Sequence, residues 1–251
     1  MAYLYLSDGT VFEGKGFGYN GDIIGEVVFN TGMTGYQELL TDPSYVGQIV
    51  AMTYPLIGNY GVNSFDIESD GPKVRGFIVR DYSDFPSNWR AETTLDKYLK
   101  DHLIVAIQGI DTRALTRKLR DCGTMNGIIS QEYPTDAQIR ALNKYRIVNP
   151  VREVTARQIY DIKGDGKRVA VIDYGLKRNI LKSLMYMKFD MRVFPASTPA
   201  EKVLDYCPDG ILLTNGPGDP RDNAAEIAEL KKLIGVKPIF GICLGHQLLA
   251  L

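Results

Sequence analysis

The 251 residues carry 29 basic and 30 acidic side chains, a formal net charge of −1, which leaves no nucleic-acid or polyanion footprint in the overall balance. Hydrophobic residues at 45% and charged residues at 24% are the proportions of a globular chain, long enough for one large or two ordinary domains. The N-terminus MAYLYLSDGTVF has no basic stretch followed by an apolar run, and runs such as IVAI are too short to span a bilayer, so no signal peptide and no membrane contact are expected. Three cysteines, Cys122, Cys207 and Cys243, show no CxxC spacing. That argues against a disulfide framework and a zinc site and for reduced thiols in the cytoplasm.

In chain order, residues 4–14 alternate around Asp8-Gly9 and predict a β-hairpin. EVVFNT, QIVAMTYP and RGFIVR are strand candidates, and residues 88–102 and 112–122 have helical spacing. The second helix has Asp111 as its N-cap and Gly123 just past its end. A third helix is expected from Pro134 through Arg146. This half, residues 1–150, reads as a mixed α/β domain without a clear repeat. Residues 151–167 are polar and end in glycines, which predicts a linker.

From residue 168 the pattern changes. Strands at 168–172, 191–194, 210–214 and 238–242 alternate with helices at 176–188, 199–206 and 223–235. Such alternation with short connections predicts a doubly wound parallel sheet with helices on both faces, over 168–251. Ligands of these sheets bind beyond the carboxyl ends of the strands. DYGLKRN, TNGPGDP and CLGHQ all fall there.

Gly241-Ile242-Cys243-Leu244-Gly245 is the cysteine form of a nucleophile elbow. Small residues must flank the nucleophile because a Cβ there collides with the neighbouring strand or helix. The following helix directs open N–H groups at the sulfur and favours thiolate. The alternative is a structural cysteine buried at a tight turn. In TNGPGDP, Gly216 and Gly218 bracket a proline that stiffens the loop. Their backbone amides, with that of Leu244, would serve a tetrahedral oxyanion; the alternative is an ordinary Pro-Gly turn.

TNGPGDP followed by PIFGICLGHQ resembles the class I glutamine amidotransferases. The resemblance implies that Cys243 attacks the side-chain amide of glutamine, releases ammonia and leaves a thioester that water hydrolyses. It also implies that Gly216, Gly218, Leu244 and Gln247 contact glutamine or its oxyanion. Residues 25–63, 109–129 and 172–181 resemble the small chain of glutamine-hydrolysing carbamoyl-phosphate synthase, and the match runs from Ala2 to the end. It implies a role for Ser44 at the glutamine site; otherwise Ser44 is a turn residue after Pro43. It further implies a heterodimer with a large chain that holds ATP, Mg²⁺ and bicarbonate, no cofactor in this chain, and a place in arginine and pyrimidine synthesis.

Of the two histidines, His246 is expected to pack against the strands, and His102 to cap a charged helix in the other domain. The resemblance assigns the catalytic histidine and its glutamate partner to residues downstream of Leu251, so the sequence is expected to be a fragment with negligible glutaminase activity alone. Cys122 and Cys207 are expected as small apolar fillers. GKGFG (14–18) lacks the context of a nucleotide loop, and IDYGLKRN is expected to be structural. Two other readings remain open, a docking module for the large chain and an unrelated cysteine hydrolase or peptidase.

Overall fold

A computed structural model describes all residues from Met1 to Leu251. The chain divides into two units, Met1–Ile147 and Val148–Leu251.

The first unit contains β1 (Ala2–Leu6), β2 (Val11–Gly18), β3 (Ile23–Asn30), α1 (Tyr36–Thr41), β4 (Gln48–Met52), β5 (Leu56–Ile57), β6 (Gly76–Ile78) and β7 (Asp81–Tyr82). These are followed by α2 (Leu95–Asp101), β8 (Val105–Gln108), α3 (Thr112–Cys122), β9 (Met125–Ser130) and α4 (Asp136–Lys144). Seven strands close into a barrel in the order β1-β2-β8-β6-β4-β3-β9, and β5 and β7 form a separate parallel pair. The hairpin expected at Asp8-Gly9 joins β1 to β2: the Asp8 carboxylate accepts the Thr10 N–H at 3.0 Å, and Gly9 takes φ 87. Strand β4 is apolar from Ile49 to Met52, where both its faces are buried. Ile49 and Ala51 pack with Leu115 and Leu119 of α3, while Val50 and Met52 pack with α1 and α2.

The helix expected over 88–102 begins late. Thr94 caps α2 by accepting the Lys97 N–H, and before it the chain forms a turn, with the Ala91 N–H donating to Asn88 O at 3.0 Å, and an antiparallel bridge between Val62 and Thr93. The cap expected for α3 is present, with the Asp111 carboxylate accepting the Ala114 N–H at 2.9 Å. Thr135 and Gln138 form a capping box at α4.

The second unit contains α5 (Pro150–Val154), β10 (Tyr160–Ile162), β11 (Arg168–Asp173), α6 (Arg178–Tyr186), β12 (Asp190–Pro195), α7 (Ala200–Leu204), β13 (Gly210–Leu213), α8 (Ala224–Leu233), β14 (Ile239–Gly241) and α9 (Leu244–Leu249). Its sheet runs β10-β12-β11-β13-β14, parallel except for β10. Side chains of α5, α7, α8 and α9 cover one face, through Val151, Val203, Leu230, Leu233, Leu244 and Leu248. Helix α6 covers the other, through Ile180, Leu181 and Leu184. Helices thus flank both faces of a parallel sheet. Residues 151–167 are more than a connector: they hold most of α5 and all of β10, whose pairing with β12 extends the sheet.

Cys122 and Cys207 are exposed, against the expectation of apolar fillers. Cys122 ends α3 just before Gly123 turns the chain away, and Cys207 sits in a turn with φ 52. No helix is long and apolar enough to cross a membrane.

Candidate active site

Three loops meet at the carboxyl edge of the second sheet. The first is the elbow after β14. Cys243 adopts φ 50 and ψ −112, a region that side-chain-bearing residues avoid. Such backbone stores about 1–3 kcal/mol of strain and persists only where its surroundings over-determine it. Here the Ile242 N–H donates to Leu213 O at 2.9 Å, and the Gly245 N–H reaches Thr214 O and Ile242 O at 3.0 Å each. The Gln247 N–H donates to Cys243 O at 3.0 Å. Leu244 and Leu248, each 1% exposed, anchor α9 in the core. The chain is pinned on both sides of Cys243, and its thiol stands exposed between them.

Glycine is required where α9 crosses β13. A Cβ on Gly245 would lie 2.5 Å from Leu213 O, inside any tolerable contact. A Cβ on Gly216 would strike Tyr174 O and lie 2.7 Å from Leu244 Cδ2, so Gly216 passes directly beside the start of α9. Gly218 follows with φ 86.

The second and third loops, after β13 and β11, are stitched together by side chains. Thr214 Oγ1 accepts the Tyr174 N–H at 2.9 Å and donates to Asn215 O at 2.9 Å. The Asn215 amide accepts the Lys177 N–H at 3.3 Å and donates to Gly175 O at 2.8 Å. Asp173, 5% exposed, accepts three backbone N–H groups: Gly175 at 2.8 Å, Leu176 at 2.7 Å and Ala156 at 2.8 Å. Thr155, just after α5, donates its hydroxyl to Asp173 O and accepts the Ala196 N–H. The sequence expectation for IDYGLKRN is a structural role, and Thr214 and Asn215 carry no short-range signal of their own. The available signal was an Asp two residues before a Gly at a strand end, the spacing of an Asx-turn.

Burial raises the Asp173 carboxyl above its ordinary value, and the three N–H groups oppose that shift without cancelling it. A carboxyl raised on folding binds its proton more tightly in the folded state, so its ionisation lowers stability as pH rises through and beyond the ordinary value. The expected result is a wild type that gains on Asp173→Asn as pH falls from 7 toward 4, read as the difference in urea midpoints. A constant difference would mean that Asp173 is not the titrating group. At the surface, hydrogen bonds from Arg221 pull the Asp219 carboxyl down to about 2.

The structure brings Cys243, Leu244, Gln247 and Gly216 together, with Gly218 in the same loop as Gly216. Ser44 lies in the first unit, half-buried in the short 3₁₀ turn Pro43–Tyr45, where its N–H donates to Asp42 at 2.9 Å. Gln247 is exposed on α9, and so is His246, against the expectation that it packs on the strands. Leu244 and Leu248 are the buried stripe of α9, and His246 and Gln247 lie exposed beside it. His102 caps the C-terminus of α2, its ring 4.6 Å from that of Tyr98.

A parallel sheet with a cysteine elbow at its carboxyl edge defines a class, and residues 170–251 match the family model described as glutamine amidotransferase class-I. Residues 4–129 match that of the carbamoyl-phosphate synthase small chain, CPSase domain. A carbamoyl phosphate synthase small chain of Clostridium perfringens (strain 13 / Type A) is 53% identical over 251 residues, which are all of this chain and 72% of that one. A pyrimidine-specific small chain of Bacillus subtilis (strain 168) is 51% identical over 250 residues, covering 99% of this chain and 69% of the relative. The chain belongs to the carbamoyl-phosphate synthase small chain family.

Proposed function

We propose that this chain is the glutamine-hydrolysing part of a carbamoyl-phosphate synthase and that Cys243 is its nucleophile. The observation that carries the reading is the strained, pinned backbone that holds an exposed thiol at the start of α9. The Cys243 sulfur attacks the side-chain amide carbon of glutamine, and the carbonyl oxygen becomes an oxyanion. Amides of Leu244 and of the Gly216–Gly218 loop lie on the elements that receive it. The intermediate collapses with cleavage of the carbon–nitrogen bond, and a proton goes to the departing ammonia. Water then hydrolyses the thioester to glutamate and restores the thiol. Gln247 serves in glutamine binding.

The proton transfers need a base facing the sulfur. Neither His102 nor His246 donates to or accepts from the Cys243 thiol, and the family resemblance assigns this task to a histidine with a glutamate partner outside these residues. Ammonia passes to a large chain, which joins it to bicarbonate with ATP and Mg²⁺; this chain uses no cofactor of its own. The product feeds pyrimidine or arginine synthesis in the cytoplasm.

A glutamine-shaped chloroketone tests the assignment, because Cys122 and Cys207 are also exposed and act as internal controls. Peptide mapping is expected to show alkylation that glutamine suppresses at Cys243 alone. Equal labelling of the three thiols, or no protection by glutamine, would remove Cys243 from the glutamine site. Residues 1–251 by themselves are expected to take the label yet release ammonia slowly, since acid–base assistance is worth about 10²–10⁴-fold. Ammonia release at an ordinary enzymatic rate would show that a base is present within them.

A further inference from the structure

Helix α3 buries Leu115 and Leu119 and turns Arg113, Arg117 and Arg120 outward on one stripe. These arginines, with Thr31, Thr53 and Thr116, line an open cavity of about 420 Å³ in the first unit. Thr31 and Thr53 directly follow the adjacent parallel strands β3 and β4, where the Thr53 N–H donates to Asn30 O at 3.0 Å. Arg120 pairs with the exposed Asp121 at 2.9 Å. The guanidinium groups of Arg113 and Arg117 have no carboxylate partner in the chain. They lie one helical turn apart, about 6 Å along the axis. The Thr116 hydroxyl between them and the buried stripe is itself buried and makes no hydrogen bond.

Within three positions of the two strand-end threonines, Met33, Tyr54 and Leu56 are apolar and exposed, at 70%, 38% and 44%. Arginine beside methionine and aromatic side chains is the composition of protein interfaces rather than of free solvated surface. A phosphate site at the helix terminus is disfavoured, because the Asp111 carboxylate already occupies the N-terminus of α3.

We propose that this face of the first unit receives an acidic segment of the large chain, with two carboxylates about one helical turn apart pairing with Arg113 and Arg117. The threonine hydroxyls complete the hydrogen bonding of those carboxylates, and Met33 and Tyr54 pack at the rim. This rests on the large-chain partnership proposed above.

The test is direct binding of this chain to the large chain of the same organism by biolayer interferometry. The double variant Arg113→Glu, Arg117→Glu is expected to weaken binding by at least about 100-fold. Met33→Asp, at an exposed rim position, is expected to weaken it by about 10-fold. Lys144→Glu, the same charge reversal as at each arginine but at the end of α4, should leave affinity unchanged, and all variants should melt with the wild type. Wild-type association should slow as KCl rises from about 50 to about 300 mM, and the double variant should lose that dependence. A wild type that binds while the double variant binds equally well overturns the assignment of this face and leaves the partnership standing. A wild type that does not bind overturns the partnership itself.

Discussion

Gly245→Ala is expected to lower the stability of the second unit by about 3 kcal/mol or more, at the upper end of what overpacking does. The new methyl group would meet Leu213 at the backbone oxygen (2.5 Å), the Cβ (2.6 Å) and the backbone carbon (2.7 Å). None of these is a side-chain tip that can swing aside, so α9 would have to lift from β13. Lifting it breaks the bond from the Gly245 N–H to Thr214 O and pulls Leu244 and Leu248 out of the core. The elbow would relax with it, since the same bonds hold Cys243 in its strained conformation. Gly210→Ala on the same sheet is the control. Its Cβ would meet only Pro238 O, at 3.6 Å, an ordinary contact, so a change within about 0.5 kcal/mol is expected. Urea unfolding followed by circular dichroism, with hydrogen exchange at the Ile242 and Gly245 amides, reads both. Equal midpoints for the two variants would mean that α9 is free to shift over β13.

The Gly241–Gly245 pattern was legible in the sequence because the constraint on it is local: a sharp turn leaves no room for a Cβ on either side of Cys243. Hairpin and cap signals at Asp8-Gly9 and Asp111 are local in the same sense, and the alternation from residue 168 onward fixes a parallel sheet. The barrel was not legible. It closes by pairing β1 with β9, Tyr3 opposite Ser130, and no short-range pattern reports a pairing that distant. The late start of α2 has the same origin, since the bridge from Val62 to Thr93 overrides helical spacing in residues 88–93. Residues 151–167 read as a linker because β10 is three residues long and earns its place only by pairing with β12. At the site, the sharp turn at Cys243 and the glycine loop could be read directly. The bonds of Thr214 and Asn215 to Tyr174 and Gly175 could not, because they join residues about forty positions apart.

Cys243→Ser is expected to lower glutamine-dependent carbamoyl phosphate formation by the assembled two-chain enzyme by about 10⁴–10⁶-fold, the range seen when a nucleophile is removed from a catalytic unit. Serine has nearly the same size but is far less ionised near neutral pH, so the structure should hold while attack on the amide carbon fails. Synthesis from added ammonium should be unchanged, because that route bypasses the thiol; a parallel fall would point to a folding or assembly defect. Cys243→Gly separates chemistry from strain. With φ 50 and ψ −112, glycine relieves about 1–3 kcal/mol of backbone strain, against a loss of up to about 1 kcal/mol from greater freedom in the unfolded chain. The glycine variant should therefore unfold at higher urea than the serine variant although both are inactive. A glycine variant less stable than serine would mean that the Cys243 backbone is not strained. Active serine and glycine variants would move the chemistry to another residue. The two together ask whether the second unit gives up stability at one residue to hold a thiol where glutamine can reach it.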